Sequence, residues 1–294
     1  MRLLQGGVPK CGNFWLYQII QKIFHVAGKV PISHIERHPI YPIAQTWDLN
    51  FPGQERIDVL EITDLQYAYR ISSVFKMPID DIQNYVVQTE HVWTHSPICK
   101  KSGEVFKLFD KKVYIIRDPR DRAISAARYY CSEYMLKYFP QEETDPEMFL
   151  QKNFEQLMRE WVWHVWDHLR LSREFNIHIV FYENFLNDFQ KELSGLLEYL
   201  ELELSSAQRK QLEAELSFSR QKKKNPKHLI RGTAGYWKKS LTEPQIQKTR
   251  AIAGPLMRFL NYAEEETSQP YFSASGPAVF EQLKREIIES QQSH

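Results

Sequence analysis

Three short apolar runs in this 294-residue chain each end near a chain-breaking residue and pass into helical periodicity, and that repetition restricts the fold more than any other feature. Residues 2 to 5 stop at Gly6 and Gly7, after which Phe14, Leu16, Ile19, Ile20, Ile23, Phe24 and Ala27 recur at helical spacing. "KVYIIRDP" supplies a second strand, Val113 to Ile116, and beyond Pro119 a helix runs through Ala123, Ile124, Ala126 and Ala127. "IHIVFYENF" (177 to 185) is the third, leading into one helical stretch through Phe185, Leu186, Phe189, Leu193, Leu196, Leu197 and Leu200. Buried strands alternating with amphipathic helices predict an α/β fold: a single domain whose central, mainly parallel sheet is flanked by helices. Ligands of such sheets sit beyond the carboxyl ends of the strands, so the residues that follow each strand are the ones to read for function.

The first such stretch is "GGVPKCGNFW" (6 to 15). Gly7 and Gly12 let backbone N–H groups approach an oxyanion, the following helix adds its own amides, and Lys10 would add a point charge. A nucleoside-triphosphate loop carries Lys and then Ser or Thr directly after its second glycine, with the hydroxyl on magnesium. Asn13 and Phe14 stand in those places here, which argues against a metal-dependent kinase or ATPase. A tight glycine turn ahead of a helix explains the same residues without a ligand. After the second strand, Arg117 leaves the strand end directly and Ser125 follows on the helix; a guanidinium fork and a hydroxyl so placed can converge on a second phosphate. A surface ion-pair network among Arg117, Asp118, Arg120, Asp121 and Arg122 is the competing reading. In "VWTHSP" (92 to 97) His95 follows another strand end and is a candidate general base, with His91 as its rival. From Arg220 to Arg231 stand six Lys or Arg residues and no acid, ahead of "RGTAGYWKKSLT" (231 to 242). That run is either a solvated basic face or part of a glycine-hinged loop closing over an anion.

Any such anion site is local, because 38 basic and 37 acidic residues leave a net charge of +1 and give no reason to expect nucleic acid or an acidic membrane as partner. Cys11, Cys99 and Cys131 are few, odd in number and far apart, which argues against a disulfide framework or zinc cluster and suits a reducing compartment. Met1 is followed at once by Arg2, Leu3, Leu4 and the glycine loop, leaving no room for a signal peptide. No apolar run approaches the roughly 20 residues of a membrane span, and the chain reads as cytoplasmic. "EEETSQPYFSASGP" (264 to 277) reads as a polar excursion within the one domain (1 to 294), ahead of a helical tail to His294.

In combination these residues resemble the cytosolic-type sulfotransferases that use 3′-phosphoadenosine 5′-phosphosulfate (PAPS), whose architecture is P-loop-like. "PKCGNFW" (9 to 15) is similar to the family's 5′-phosphosulfate loop, PKSGTTW, retaining Pro9, Lys10, Gly12 and Trp15. Arg117 and Ser125 stand at the family's spacing for the 3′-phosphate, and "THSP" places His95 where the family's base follows a threonine. "FYENF" matches its tyrosine–acid pair, with Tyr182 near the nucleotide, and "SFSRQKKKNP" (217 to 226) resembles a segment that contributes an aromatic, here Phe218. "RGTAGYWKKSLT" resembles RKGxxGDWKxxFT and carries over Arg231 and Gly232. The matches run in order from residue 9 to residue 242.

The resemblance implies metal-free sulfuryl transfer from PAPS to a hydroxyl, or an amine or amide nitrogen, of a small-molecule acceptor, with 3′-phosphoadenosine 5′-phosphate (PAP) as product. It makes His95 and Lys10 catalytic and places Lys10, Cys11, Gly12, Asn13, Phe14, Trp15, Arg117, Ser125, Tyr182, Phe218, Arg231 and Gly232 around the nucleotide. Cys11, Asn13 and Phe14 replace a serine and two threonines, leaving more of the phosphosulfate to backbone amides and Lys10. Trp93 stands where many members have a lysine, Ile230 replaces the first basic residue of RKG, and the lid between the last two motifs is shorter than the family's. The family's dimer pattern is half kept, with Lys238 and Thr242 present but Glu243 and Gln247 in place of the rest, which implies a monomer or a dimer built otherwise.

Residues 34 to 70 and 129 to 150 fall between these motifs and are rich in aromatics suited to an acceptor pocket, among them Tyr41, Trp47, Phe51, Tyr67, Tyr129 and Tyr134. Between Asp48 and Asp64 lie five acids and one base, Arg56: a wall for a cationic acceptor if they line the pocket, a solvated acidic face if they do not. Two other readings stay open, a nucleotide or small-molecule kinase and a non-catalytic nucleotide-binding relative.

Overall fold

The computed structural model describes residues 1–217, 220, 234–262 and 269–292. Its strands are β1 (Leu3–Gly6), β2 (Asp58–Ile62), β3 (Tyr67–Ile71), β4 (Phe75–Ile79), β5 (His91–Thr94), β6 (Lys111–Ile116) and β7 (Ile177–Phe181). The helices used below are α1 (Asn13–Val26), α2 (Tyr41–Ala44), α3 (Ile82–Val87), α4 (Ser102–Leu108), α5 (Pro119–Tyr130), α6 (Glu133–Tyr138), α7 (Pro146–Leu171), α8 (Tyr182–Asn187), α9 (Phe189–Leu200), α10 (Ser206–Leu216), α11 (Glu243–Phe259) and α12 (Pro277–Gln292).

The seven strands form one sheet in the order β4-β3-β2-β5-β1-β6-β7. From β2 to β7 neighbours are parallel, while β3 runs antiparallel to both β2 and β4. The mainly parallel sheet expected from the sequence is therefore present, extended by an antiparallel meander that the strand-and-helix repetition did not announce. β1 is buried at every position, since it lies mid-sheet with helices on both faces.

Local chemistry sets the helix starts. Asp118 caps α5 by accepting the Arg120 N–H at 2.9 Å, and Pro119 begins that helix, where its missing N–H costs nothing. Asp145 and Pro146 repeat the arrangement at α7. The helical stretch read through 185 to 200 is two helices, α8 and α9: Asp188 leaves helical geometry at φ −148°, ψ 77° and its carboxylate accepts from the Lys191 N–H. An apolar count that skips residue 188 cannot register that break. The helical tail appears as α12.

One face of α1 buries Leu16, Ile19, Ile20 and Ile23 completely, and α7 does the same with Trp161, Val162, Val165 and Leu169. Each such side chain contributes about 1.5–3 kcal/mol relative to exposure. The helices thereby pin the sheet whose carboxyl edge carries the site. Among the described residues no helix is long and apolar enough to cross a membrane.

Candidate active site

The carboxyl ends of β5, β1, β6 and β7, neighbours in that order, deliver His95, the Lys10 loop, Arg117 and Tyr182 to one cavity of about 760 Å³. The loop after β1 is shaped from behind. Gly12 has φ 96°, and a Cβ there would stand 2.5 Å from Tyr182 Cδ2, so both backbone and packing demand glycine. The Asn13 amide donates to Val8 O at 2.9 Å, and Arg122, fully buried, donates to Pro9 O at 3.0 Å and Leu157 O at 2.8 Å while pairing with Glu160 at 2.6 Å. These bonds fix the loop without the hydroxyls it lacks.

Lys10 itself has φ 73°, a left-handed conformation unusual for a side chain of its size. Its carbonyl accepts from Arg117 Nη1 at 3.3 Å, and its ammonium lies 4.1 Å from the centroid of the Tyr129 ring. Lys10 is half-buried and lines the cavity, crowded there by the Arg117 guanidinium and the Tyr129 ring. Burial, and then the Arg117 charge, lower its pKa to about 7.

His95 points one nitrogen at Gly7 O, 2.7 Å away. A carbonyl can only accept, so Nδ1 carries the proton and the neutral ring keeps its lone pair on Nε2. Burial, followed by the nearby charges of His164, Lys10 and Arg122, brings its pKa down to about 4, and the ring is an unprotonated base at neutral pH. Its backbone is held as well: His164 Nε2–H donates to His95 O at 3.1 Å, and Tyr114 O–H donates to His164 Nδ1 at 2.7 Å.

Arg117 is 8% exposed, stacks 4.3 Å from the Tyr182 ring centroid, and has a buried Nε without a hydrogen-bond partner. The competing surface network is overturned, because Arg117, Asp118, Arg120, Asp121 and Arg122 are all buried. Asp118 pairs with Arg120 at 2.7 Å, and Asp121 accepts the N–H groups of Gly235 (2.7 Å) and Trp237 (2.8 Å), tying the loop at 234–240 to α5.

Gly12, Asn13, Phe14, Trp15 and Ser125 line the same cavity. Cys11 does not. Its side chain is fully buried in the core, its N–H is taken by Val8 O at 3.2 Å, and burial pushes its thiol up to about 12. The loop turns this residue inward, which corrects its assignment to the nucleotide. Trp15 is mostly structural, donating its indole N–H to Leu216 O at 2.8 Å. His91, the rival base, is buried between Gln21 and Gln5 and stacked on Tyr17, away from the cavity. Phe218, Arg231 and Gly232 lie outside the described residues.

The wall beside His95 is apolar. Phe14, Phe51, Ile57 and Trp93 form a cluster of their own, with Phe14 and Phe51 ring centroids 4.2 Å apart and Trp93 set edge-on to His95 at 5.2 Å. The acids between 48 and 64 do not act together as a wall: Asp58 is buried and accepts the N–H groups of His34 and Ile35, Asp48 is exposed beside Lys137, and of the five only Glu61 and Asp64 reach the cavity. Glu61 is already held by Arg70 at 2.9 Å and by Lys76. Tyr129 lines the cavity, in a stretch the sequence marked as rich in aromatics, whereas Asp121 and Arg70 carried no sequence signal for these positions, because each arrives through packing or strand register.

The match that decides the family spans residues 3–260, which fit the model of the sulfotransferase domain. The chain belongs to that family. Rat Sulfotransferase 1 family member D1 is 24% identical over 265 residues, 84% of this chain and 80% of the relative. Bovine Sulfotransferase 1A1 is 23% identical over 87% of this chain and 85% of its own length. Among solved structures, mouse SULT7A1 complexed with PAP superposes with a TM-score of 0.57 at 16% identity, covering 98% of this chain and 88% of that one. Retinol dehydratase with androsterone and PAP gives 0.53 at 17%, over 85% and 79%. At these identities the structural likeness speaks for the fold, and the kinase alternative falls with the family assignment. Among the described residues of this sulfotransferase no three His, Cys, Asp or Glu side chains converge as a metal site would require.

Proposed function

We propose that this sulfotransferase takes its sulfuryl group from PAPS and passes it to a hydroxyl or amine of a small-molecule acceptor, with His95 as general base and Lys10 as the cation on the departing phosphate. The observation that carries the reading is the convergence of a neutral His95 with Lys10 and Arg117 on one cavity, at three adjacent strand ends. The residues fit a ligand with two anionic ends. The loop amides and Lys10 face one phosphate, and the unpartnered Arg117 Nε, with Ser125 on α5, suits the other.

PAPS supplies the activated sulfuryl group. The acceptor oxygen forms the new bond to sulfur as the bond from sulfur to the phosphate oxygen breaks; the acceptor proton passes to His95 Nε2, and PAP leaves with its charge against Lys10. Gly7 O holds the imidazole in the tautomer this needs, and His164 Nε2–H on the His95 carbonyl holds the backbone beneath it, so little reorganisation accompanies the step. A reducing, cytoplasmic setting suits Cys11, Cys99 and Cys131, which are all free thiols.

Calorimetric titration with PAP, ADP, and ATP plus magnesium tests the donor site. Tight metal-free binding that depends on the 3′-phosphate is expected. Preference for ATP with magnesium, or no binding at all, would refute the reading.

A further inference from the structure

We propose that the acceptor is an apolar or aromatic alcohol carrying a carboxylate or similar anion at the end remote from the reacting hydroxyl, and that Arg70 binds that anion. The inference rests on the function proposed above and concerns the opposite half of the cavity.

Sheet register builds the site. Trp93 of β5 is paired with Val59 of β2, Val59 with Arg70 of β3, and Arg70 with Lys76 of β4. Directly paired residues project from the same face, so Trp93, Val59, Arg70 and Lys76 form one row across four strands. Neighbouring strands lie about 4.8 Å apart, which puts Arg70 about 10 Å from Trp93. Trp93, Val59 and Arg70 all line the cavity, and Trp93 touches the His95 ring. The row is apolar where it meets the base and cationic two strands away.

The near end accepts a flat apolar body. Phe14 and Trp93, two departures from the family's usual residues, belong to one cluster with Phe51 and Ile57 and replace polar or charged side chains beside the reacting centre with aromatic surface.

At the far end the charge is unbalanced. Glu61, two residues along β2 from Val59 and on the same face, is shared by Arg70 and Lys76, so one carboxylate faces two cations. Arg70 uses Nη1 for Glu61, while its Nε is buried with no partner, as is the indole N–H of Trp93 on the same row. An unsatisfied guanidinium edge beside an excess positive charge calls for an anionic oxygen ligand. Asp64 also lines the cavity but already accepts the Lys100 N–H at 2.8 Å from an exposed position. Glu61 is held by Arg70 and Lys76 and Asp121 by the Gly235 and Trp237 N–H groups, so a cationic acceptor would be left with Asp64, in a cavity that Arg70 also lines.

The test compares 3-(4-hydroxyphenyl)propanoate, its methyl ester and tyramine as ligands of the PAP complex by calorimetry, and as substrates with PAPS. The acid should bind about tenfold more tightly than the ester, the worth of one charge-assisted contact. Arg70→Gln should bring the ratio to about one, and Arg70→Lys should restore part of it. Equal binding of acid and ester to the wild-type protein, preference for tyramine, or failure of all three to bind would overturn the proposal. If Arg70→Gln does not fold, the wild-type ratio decides by itself. PAP affinity measured in the same titrations separates failure of this inference from failure of the donor site.

Discussion

Binding of PAP should consume close to one proton per site at pH 8. In the free protein Lys10 titrates near 7, because burial and the neighbouring Arg117 disfavour its ammonium. A phosphate seated on the loop supplies the opposite charge and returns the ammonium to a pKa well above 8. At pH 8 roughly nine in ten free molecules carry neutral Lys10, so binding must recruit about 0.9 proton. The protonated form is the one that binds. Affinity is therefore greatest below pH 7 and falls as pH rises through 7, by about fivefold between pH 7 and 8 and about tenfold more by pH 9. The ligand adds little above pH 7, since a phosphate with its second pKa near 6 is then about nine-tenths ionised. Glu183 does titrate there, pushed up to about 7 by burial and by Asp118, whose N–H it accepts at 2.9 Å. Lys10→Met and Glu183→Gln separate the two groups. The assay is calorimetry from pH 6.5 to 9 in two buffers of different ionisation enthalpy. A pH-independent Kd, or an observed enthalpy that ignores the buffer at pH 8, would refute the reasoning, as would full retention of the pH dependence in Lys10→Met.

Other outcomes are equally specific. His95→Asn should lower kcat by about 10²- to 10⁴-fold while PAP affinity is kept; turnover within tenfold of wild type would remove His95 as base. The acid limb of kcat/KM for the acceptor at saturating PAPS should lie near pH 4, where His95 protonates and loses its lone pair, and a limb near 6.5 would contradict the burial described for it. Arg117→Met should weaken PAP by tenfold or more and erase its advantage over ADP, which paired titrations would show. Gly12→Ala should lower Tm measurably, because the new Cβ meets Tyr182 at 2.5 Å in a left-handed backbone, and an unchanged Tm would argue against that packing.

How much could be read in advance followed the range of the forces involved. β1, its loop and α1 are written in contiguous residues, as are the strand ends before His95 and Arg117, since apolar periodicity and glycine or proline punctuation act locally. The row from Trp93 to Lys76 was invisible because it depends on which strands lie side by side and in what register; residues 93, 59, 70 and 76 show no pattern along the chain. That the charges of 117–122 are buried, where surface pairing was the competing reading, was hidden for a related reason. A guanidinium inside a protein needs acceptors such as Pro9 O and Leu157 O, and these come from segments more than 30 residues away. Phe14 and Trp93 stood out as departures from a motif, but their shared cluster could be recognised only in three dimensions.

The central place of β1 also governs how the molecule comes into being. Leu3 pairs with His91 on one side and Lys111 on the other, so during synthesis β1 has no partner strand until about ninety further residues have followed it. Contacts so distant in sequence make folding slow, and meanwhile the unpaired strand, with Leu3 and Leu4 uncovered, is exposed to other chains. The loop that will hold Lys10 gains its brace from Arg122 and Glu160 later still. A nascent fragment ending before residue 111 therefore carries every residue of the loop but neither the neighbouring β6 nor the Arg122 brace, and demand for chaperone protection should peak before the middle of the chain has been made.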